Sequence, residues 1–260
     1  MRDWMSSKEI AKDLVALGKT QHVICGVYFW EFIVSLKFEW EFIRRRKTLG
    51  WSMVVYFFGR YVALFTLIGV IISLDTDKKI NCEALYKFLA FGGQATIGLT
   101  CANLAIRTMG IWGCDRRVVI PLIVLIVGHW VILMQGVAVR ADYNEATRCY
   151  IAPTKPELIA GGFVYAICFD LVMFMLSAWK LLLPKQCQVT PLVQTLRKDM
   201  LLSLGIAFLV NVPAVVILSL NLNPVMNTLP TLPAAIISSI MASRAVRRLA
   251  NYDPSSASSS

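Results

Sequence analysis

Apolar residues fall along this chain in long runs separated by short polar intervals. Seven of the runs approach bilayer length: 21–38, 51–74, 85–106, 118–139, 157–183, 200–220 and 229–243. A run of roughly 20 apolar residues can satisfy its backbone hydrogen bonds as a helix while crossing the hydrocarbon slab. The pattern predicts an all-α protein, a seven-transmembrane-helix bundle whose two ends lie on opposite sides. Glu31 interrupts the first run, and Pro230 and Pro233 stand at the start of the last, which is also short. Proline costs no hydrogen bond in a first helical turn, so Pro121, Pro156 and Pro233 fit helix starts, whereas Pro213 falls inside the sixth run and is expected to kink it.

Residues 1–20 alternate Arg2, Asp3, Lys8, Glu9, Lys12, Asp13 and Lys19 with apolar positions and contain no apolar core of a cleaved signal. They read as an N-terminal tail, either solvated or folded through Ile10, Leu14, Val15 and Leu17 as a helix lying in the membrane interface. Residues 21–248 make the membrane domain. The closing segment 249–260 is mostly serine, cannot bury apolar area and is expected to be disordered.

Composition agrees with this division. Of 260 residues 57% are apolar and 16% charged, and the mean hydropathy is +0.63, which excludes a soluble enzyme. A multi-pass protein of the plasma membrane or the endoplasmic reticulum remains. The net charge of +10 would ordinarily raise nucleic acid as a partner, but sorting the charges by connection gives them a topological role. One set of connections carries fifteen Lys and Arg, among them Lys37, Arg44–Lys47, Arg107, Arg116, Arg117 and Arg244–Arg248; the other carries ten. Basic connections stay cytoplasmic, so the N-terminus is expected outside and the C-terminus in the cytosol. The lipid bilayer is the expected partner, and nucleic acid is not.

Of the seven cysteines, only Cys82 and Cys149 fall in outer connections. A bridge between them would close a loop of over sixty residues, worth about 4 kcal/mol by chain entropy; the alternative is two free thiols. No Cys/His spacing suggests a metal, and no cofactor motif is visible.

Ionisable residues inside a bilayer are rare and usually functional or paired, which singles out Glu31, Arg60 and Asp170. Arg60 is expected to pair with Glu31 on the neighbouring helix. Asp170 has no cation at its depth, leaving two alternatives, a neutral acid or a residue lining a wet cavity. Asn103, Gln94, His129, Gln135, Asn211 and Ser219 supply neutral hydrogen-bonding groups. Arg60, Asp170, Asn103 and Asn211 are the candidate ligand-binding residues, against a plain role in helix–helix hydrogen bonding.

Several chemistries are excluded. The seventh run has no lysine for a retinal Schiff base. There is no Asp-Arg-Tyr after the third run, no Asn-Pro-x-x-Tyr in the seventh, and no Walker loop, HExxH, GxSxG or aspartate cluster for magnesium.

The stretch YFWEFIVSLKFEWEFIRRRKTLGWSMVVYFFGRYVALFTLIGV, Tyr28 to Val70, resembles the signature domain of a large mushroom-fungus family of seven-pass membrane proteins known only by a domain of unknown function. The likeness runs nearly full length. It includes Glu39 and Glu41 before the Arg/Lys cluster, Leu49-Gly50, Arg60-Tyr61, Cys82 and Cys149, and Phe169-Asp170. It continues through Pro191-Leu192, Arg197, Asp199, Asn211 and Ser239 to Arg244. The family usually has Leu-Arg after the third helix and Asp-Gly before the sixth; this chain has Ile106-Arg107 and Asp199-Met200. The resemblance implies the fold and topology, and a setting beside fungal natural-product synthesis, without implying an activity.

Two functions follow as expectations. The first is a non-enzymatic, receptor-like or accessory membrane protein that admits a small lipophilic molecule to the bundle. The second is an integral-membrane terpene-cyclase-like enzyme, in which Asp170 or Glu31 would deliver the initiating proton and aromatic side chains would shelter the cation. A transporter ranks last, since inverted repeats and paired broken helices are missing from the pattern.

Overall fold

The computed structural model describes residues 6–44, 50–76, 81–135, 141–144, 148–151, 156–182, 191–220 and 223–250. The side chains of 7, 141–144, 148–151, 156–160, 162–163, 181–182, 191–200, 218, 224 and 249 lie outside the description, as does the serine-rich end. Eight helices follow one another along the described chain: α1 Ser7–Arg44, α2 Trp51–Asp75, α3 Cys82–Ile111, α4 Arg116–Gln135, α5 Pro156–Leu182, α6 Pro191–Leu220, the short α7 Pro224–Thr228, and α8 Thr231–Ala250. Between α4 and α5 stand two four-residue antiparallel strands, β1 Ala141–Asn144 and β2 Arg148–Ile151. This hairpin departs from the expected all-helical pattern.

Among the described residues four helical segments are long and apolar enough to cross a membrane: Trp51–Asp75, Cys82–Ile111, Arg116–Gln135 and Val225–Arg248. Large apolar side chains face outward on them and on their neighbours, with Trp51 79%, Val124 65% and Phe58 60% exposed. Water-soluble monomers rarely show apolar surface on that scale. The chain has the character of a helical membrane protein.

The opening segment does not separate from the first apolar run. Residues 7–44 form one helix, because nothing between Leu17 and Cys25 breaks helical geometry, and it carries Lys37, Glu39 and Glu41, expected in a connection, inside its last turns. Pro121 likewise falls within α4, which begins at Arg116. Pro156 starts α5 as expected, and Pro213 is internal to α6.

Helix ends are set locally. Asn81 accepts a hydrogen bond from the Ala84 backbone N–H to start α3, and Asn223 accepts one from Met226 N–H at 2.7 Å to start α7. At the other end of α3 the chain turns through Gly113 and Cys114, both with positive φ, and Asp115 Oδ1 then accepts from Arg117 N–H at 3.0 Å as α4 begins. α3 packs against α2, α4, α5 and α8, while α8 lies against α1, α2, α3 and α6. Gly92 lets α2 and α3 approach closely: a β-carbon there would sit 2.1 Å from Thr66 Oγ1.

Three apolar clusters fill the interior. The largest joins Cys101, Leu104, Ala105, Leu122, Phe169, Met173, Leu204, Ala207 and Ala242 across α3, α4, α5, α6 and α8. A second gathers Cys25, Tyr28, Ala63, Leu67, Val70, Ile236 and Ile240 between α1, α2 and α8, and a third holds Phe42, Met53, Tyr56 and Val246.

Candidate functional site

A single stripe of α1 supplies Tyr28, Glu31, Ser35, Glu39 and Phe42, all buried. The spacings of three and four put them on one face of the helix. That face meets α2 and α8, and the buried ionic groups of this part of the bundle meet there.

The expected Arg60–Glu31 ion pair does not form. Arg60 Nη1 pairs instead with Glu39 Oε1 at 2.5 Å, the side chains being 4% and 5% exposed. Arg60 Nη2 donates to the Phe32 carbonyl and the guanidinium lies 4.3 Å over the Phe32 ring, which places Arg60 beside the turn of α1 between the two glutamates. Glu31 is already occupied. Its carboxylate accepts from Arg244 Nε at 3.1 Å and pairs with both Arg244 and Arg247 on α8. Glu39 is the acid left for Arg60, and it also accepts hydrogen bonds from Tyr56 and Tyr61. Tyr56 in turn accepts from Arg60 Nη1 at 2.7 Å, and Tyr28 donates to the Arg60 carbonyl.

Tyr28, Glu31, Phe32, Ser35, Arg60, Ile240, Ser243 and Arg247 line a narrow cleft with a free interior of about 10 Å³, room for about one water molecule. Pockets for drug-sized ligands run from about 300 to 1,000 Å³. This one is too small for such a molecule, and its walls are tied together by the ion pairs just described.

Asp170 lies elsewhere, on α5, 6% exposed, and its Oδ2 accepts from Asn211 Nδ2 on α6 at 2.7 Å. The expected polar pocket is therefore divided: Asp170 and Asn211 come together, while Arg60 belongs to the α1–α2–α8 network. Asn103 on α3 is 4% exposed, and its Oδ1 has no partner among the described residues. Near Asp170 in the chain, the rings of Tyr165 and Phe169 lie 5.5 and 5.6 Å from His129.

Cys82 is buried and disulfide-bonded. The Cys149 side chain lies outside the description, but the hairpin that carries it packs against α3. Cys25, Cys101, Cys114 and Cys168 are free.

Sequence reasoning missed Glu39 and Arg107 as buried residues, and Arg244 and Arg247 as the partners of buried Glu31, having read each as part of a cytoplasmic connection. The spacing of four between Glu31, Ser35 and Glu39 was the available signal, since it continues the buried face past the end of the apolar run. No protein-family model matches the chain, and no curated protein matches it.

Proposed function

We propose that this chain is a seven-pass membrane protein with its N-terminus outside and its C-terminus in the cytosol, receptor-like or accessory rather than enzymatic. In this reading it admits a small lipophilic molecule, and it belongs with the mushroom-fungus family that Tyr28–Val70 resembles, in a setting of secondary-metabolite synthesis. Cys82 pairs with Cys149 and holds the hairpin over the outer end of α3.

One observation carries the choice against catalysis. Among the described residues each carboxylate in the helical core is engaged by a structural partner: Glu31 by two arginines, Glu39 by Arg60 and two tyrosines, and Asp170 by Asn211. An acid that initiates a cyclisation must offer its proton to substrate; Glu31 and Glu39 are held in ion pairs, and Asp170 Oδ2 is taken up by the Asn211 amide. The metabolite profile of a strain lacking the gene tests this. A receptor or accessory protein changes product amounts; accumulation of one defined precursor would contradict the proposal.

A membrane cyclase is the second reading, favoured by one feature: Asp170 is buried, and its hydrogen-bond partner among the described residues is a neutral amide rather than a cation. Microsomes given a prenylated or epoxidised substrate would convert it, and Asp170→Asn would abolish the conversion.

A further inference from the structure

Arg107 is the buried charge that the networks above leave out. It sits one turn before the end of α3 and is 5% exposed. Its Nε and Nη2 have no hydrogen-bond partner among the described residues. Four residues earlier on the same face, Asn103 Oδ1 is also buried without a partner. The walls at this level are fixed: the Thr108 and Ser177 hydroxyls share a 3.1 Å hydrogen bond between α3 and α5, and Trp112 Nε1 donates to the Leu176 carbonyl at 3.2 Å.

A buried guanidinium without a counter-ion is costly, and native interiors pair such charges. Among the described residues the neighbouring charges do not supply an anion. Lys180 stacks 5.0 Å over Trp112, and Arg116 and Arg117 stand exposed just beyond, with Asp115 turned back to cap the Arg117 backbone. The C-terminal dipole of α3 favours a cation here but gives Nε and Nη2 no acceptor. The whole end of α3 is an excess of positive charge around an unfilled donor pair.

We propose that Arg107 and Asn103 form the polar end of a binding site for the oxyanion of an amphiphile, a carboxylate or phosphate whose apolar tail lies among the helices. The guanidinium fork takes two of the oxygens. Asn103 Oδ1 accepts from a hydroxyl on the same headgroup, as a phosphate monoester monoanion provides and an ionised fatty acid does not. This site rests on the membrane-bundle reading and is independent of any link to metabolite synthesis.

The test uses the full-length protein in neutral detergent, titrated calorimetrically with oleate, dioctanoyl phosphatidate, inorganic phosphate and oleyl alcohol, with the unfolding midpoint measured alongside. Saturable binding of oleate or phosphatidate but not of the alcohol is expected, with a raised midpoint. Binding of inorganic phosphate equal to that of phosphatidate would assign the site to a soluble anion and overturn the amphiphile. Arg107→Met should weaken binding on the order of tenfold or more, with Arg107→Lys recovering part of it. Asn103→Leu should weaken phosphatidate and spare oleate, a selectivity that general loss of folding would not produce. No saturable binding to the native protein, or native affinity in Arg107→Met, would overturn the site and leave water as the partner of Arg107. The receptor-like proposal would stand in that case, since its own test is the metabolite profile.

Discussion

Glu31 and Arg244 are separated by 213 residues in sequence and joined by two hydrogen bonds in space, from Arg244 Nε and Nη2 to the two carboxylate oxygens. The contact fastens the first helix to the last. A second tie lies nearer the start of α1, where Asn223 Nδ2 donates to Asp13 Oδ2 at 2.8 Å. The long α1 is thus held at two heights by the chain around α7 and α8, and the cleft lies beside the inner tie.

The two arginines on Glu31 are unequal. Arg244 is half exposed, whereas Arg247 is 14% exposed. Exposed pairs contribute roughly 0–1 kcal/mol, and removing one partner of a buried pair costs about 3–5 kcal/mol. Arg244→Gln should therefore lower the unfolding midpoint in detergent slightly, Arg247→Gln more, and Glu31→Gln most, because it leaves two cations facing one neutral amide. Equal effects of the three substitutions would contradict this order.

Arg60 and Glu39 should behave as a coupled pair. Each single change, Arg60→Met or Glu39→Gln, leaves an uncompensated buried charge and should cost about 3 kcal/mol or more. The double variant should be less destabilised than the sum of the singles, with the coupling read from a double-mutant cycle of unfolding free energies. Additive losses would mean that the two residues do not interact.

Close approach of α2 and α3 depends on Gly92. Gly92→Ala forces a β-carbon against Thr66 Oγ1, which donates to the Val62 carbonyl, and overpacking of this kind costs about 1–3 kcal/mol. Thr66→Ala in the same chain removes the obstructing atom and should recover most of the lost midpoint. A Gly92→Ala variant as stable as the parent would show that the helices separate freely here.

Cys82 and Cys149 test whether the hairpin is tied to α3. Non-reducing electrophoresis should show a faster band that shifts on reduction, and Cys149→Ser should remove the shift and lower stability by up to about 4 kcal/mol. The same shift surviving in Cys149→Ser would assign the partner of Cys82 to another cysteine.

The helices were legible because an apolar run of bilayer length has few alternatives to a helix. Their ends were not. α1 begins well before its apolar run and continues past it, since Lys, Glu and Arg are good helix formers and a helix does not stop where hydropathy falls. For the same reason Glu39, Arg244 and Arg247, assigned to connections by hydropathy, lie on helices, where Glu39 pairs with the buried Arg60 and the two arginines with the buried Glu31. Glu31, Arg60 and Asp170 were recognisable as costly residues needing partners. Which partner each takes depends on how helices far apart in sequence are rotated and staggered, and that information is distributed over the packing of α1, α2 and α8.

The central claim is an odd number of crossings that places the two ends on opposite faces. The chain has no native Asn-x-Ser/Thr site, so an acceptor sequence added at either terminus reports its side without background. Expressed in microsomes, an N-terminal acceptor should be glycosylated and a C-terminal one should not. Modification of both termini, or of neither, would contradict the seven-pass arrangement, and modification of the C-terminus alone would reverse its orientation.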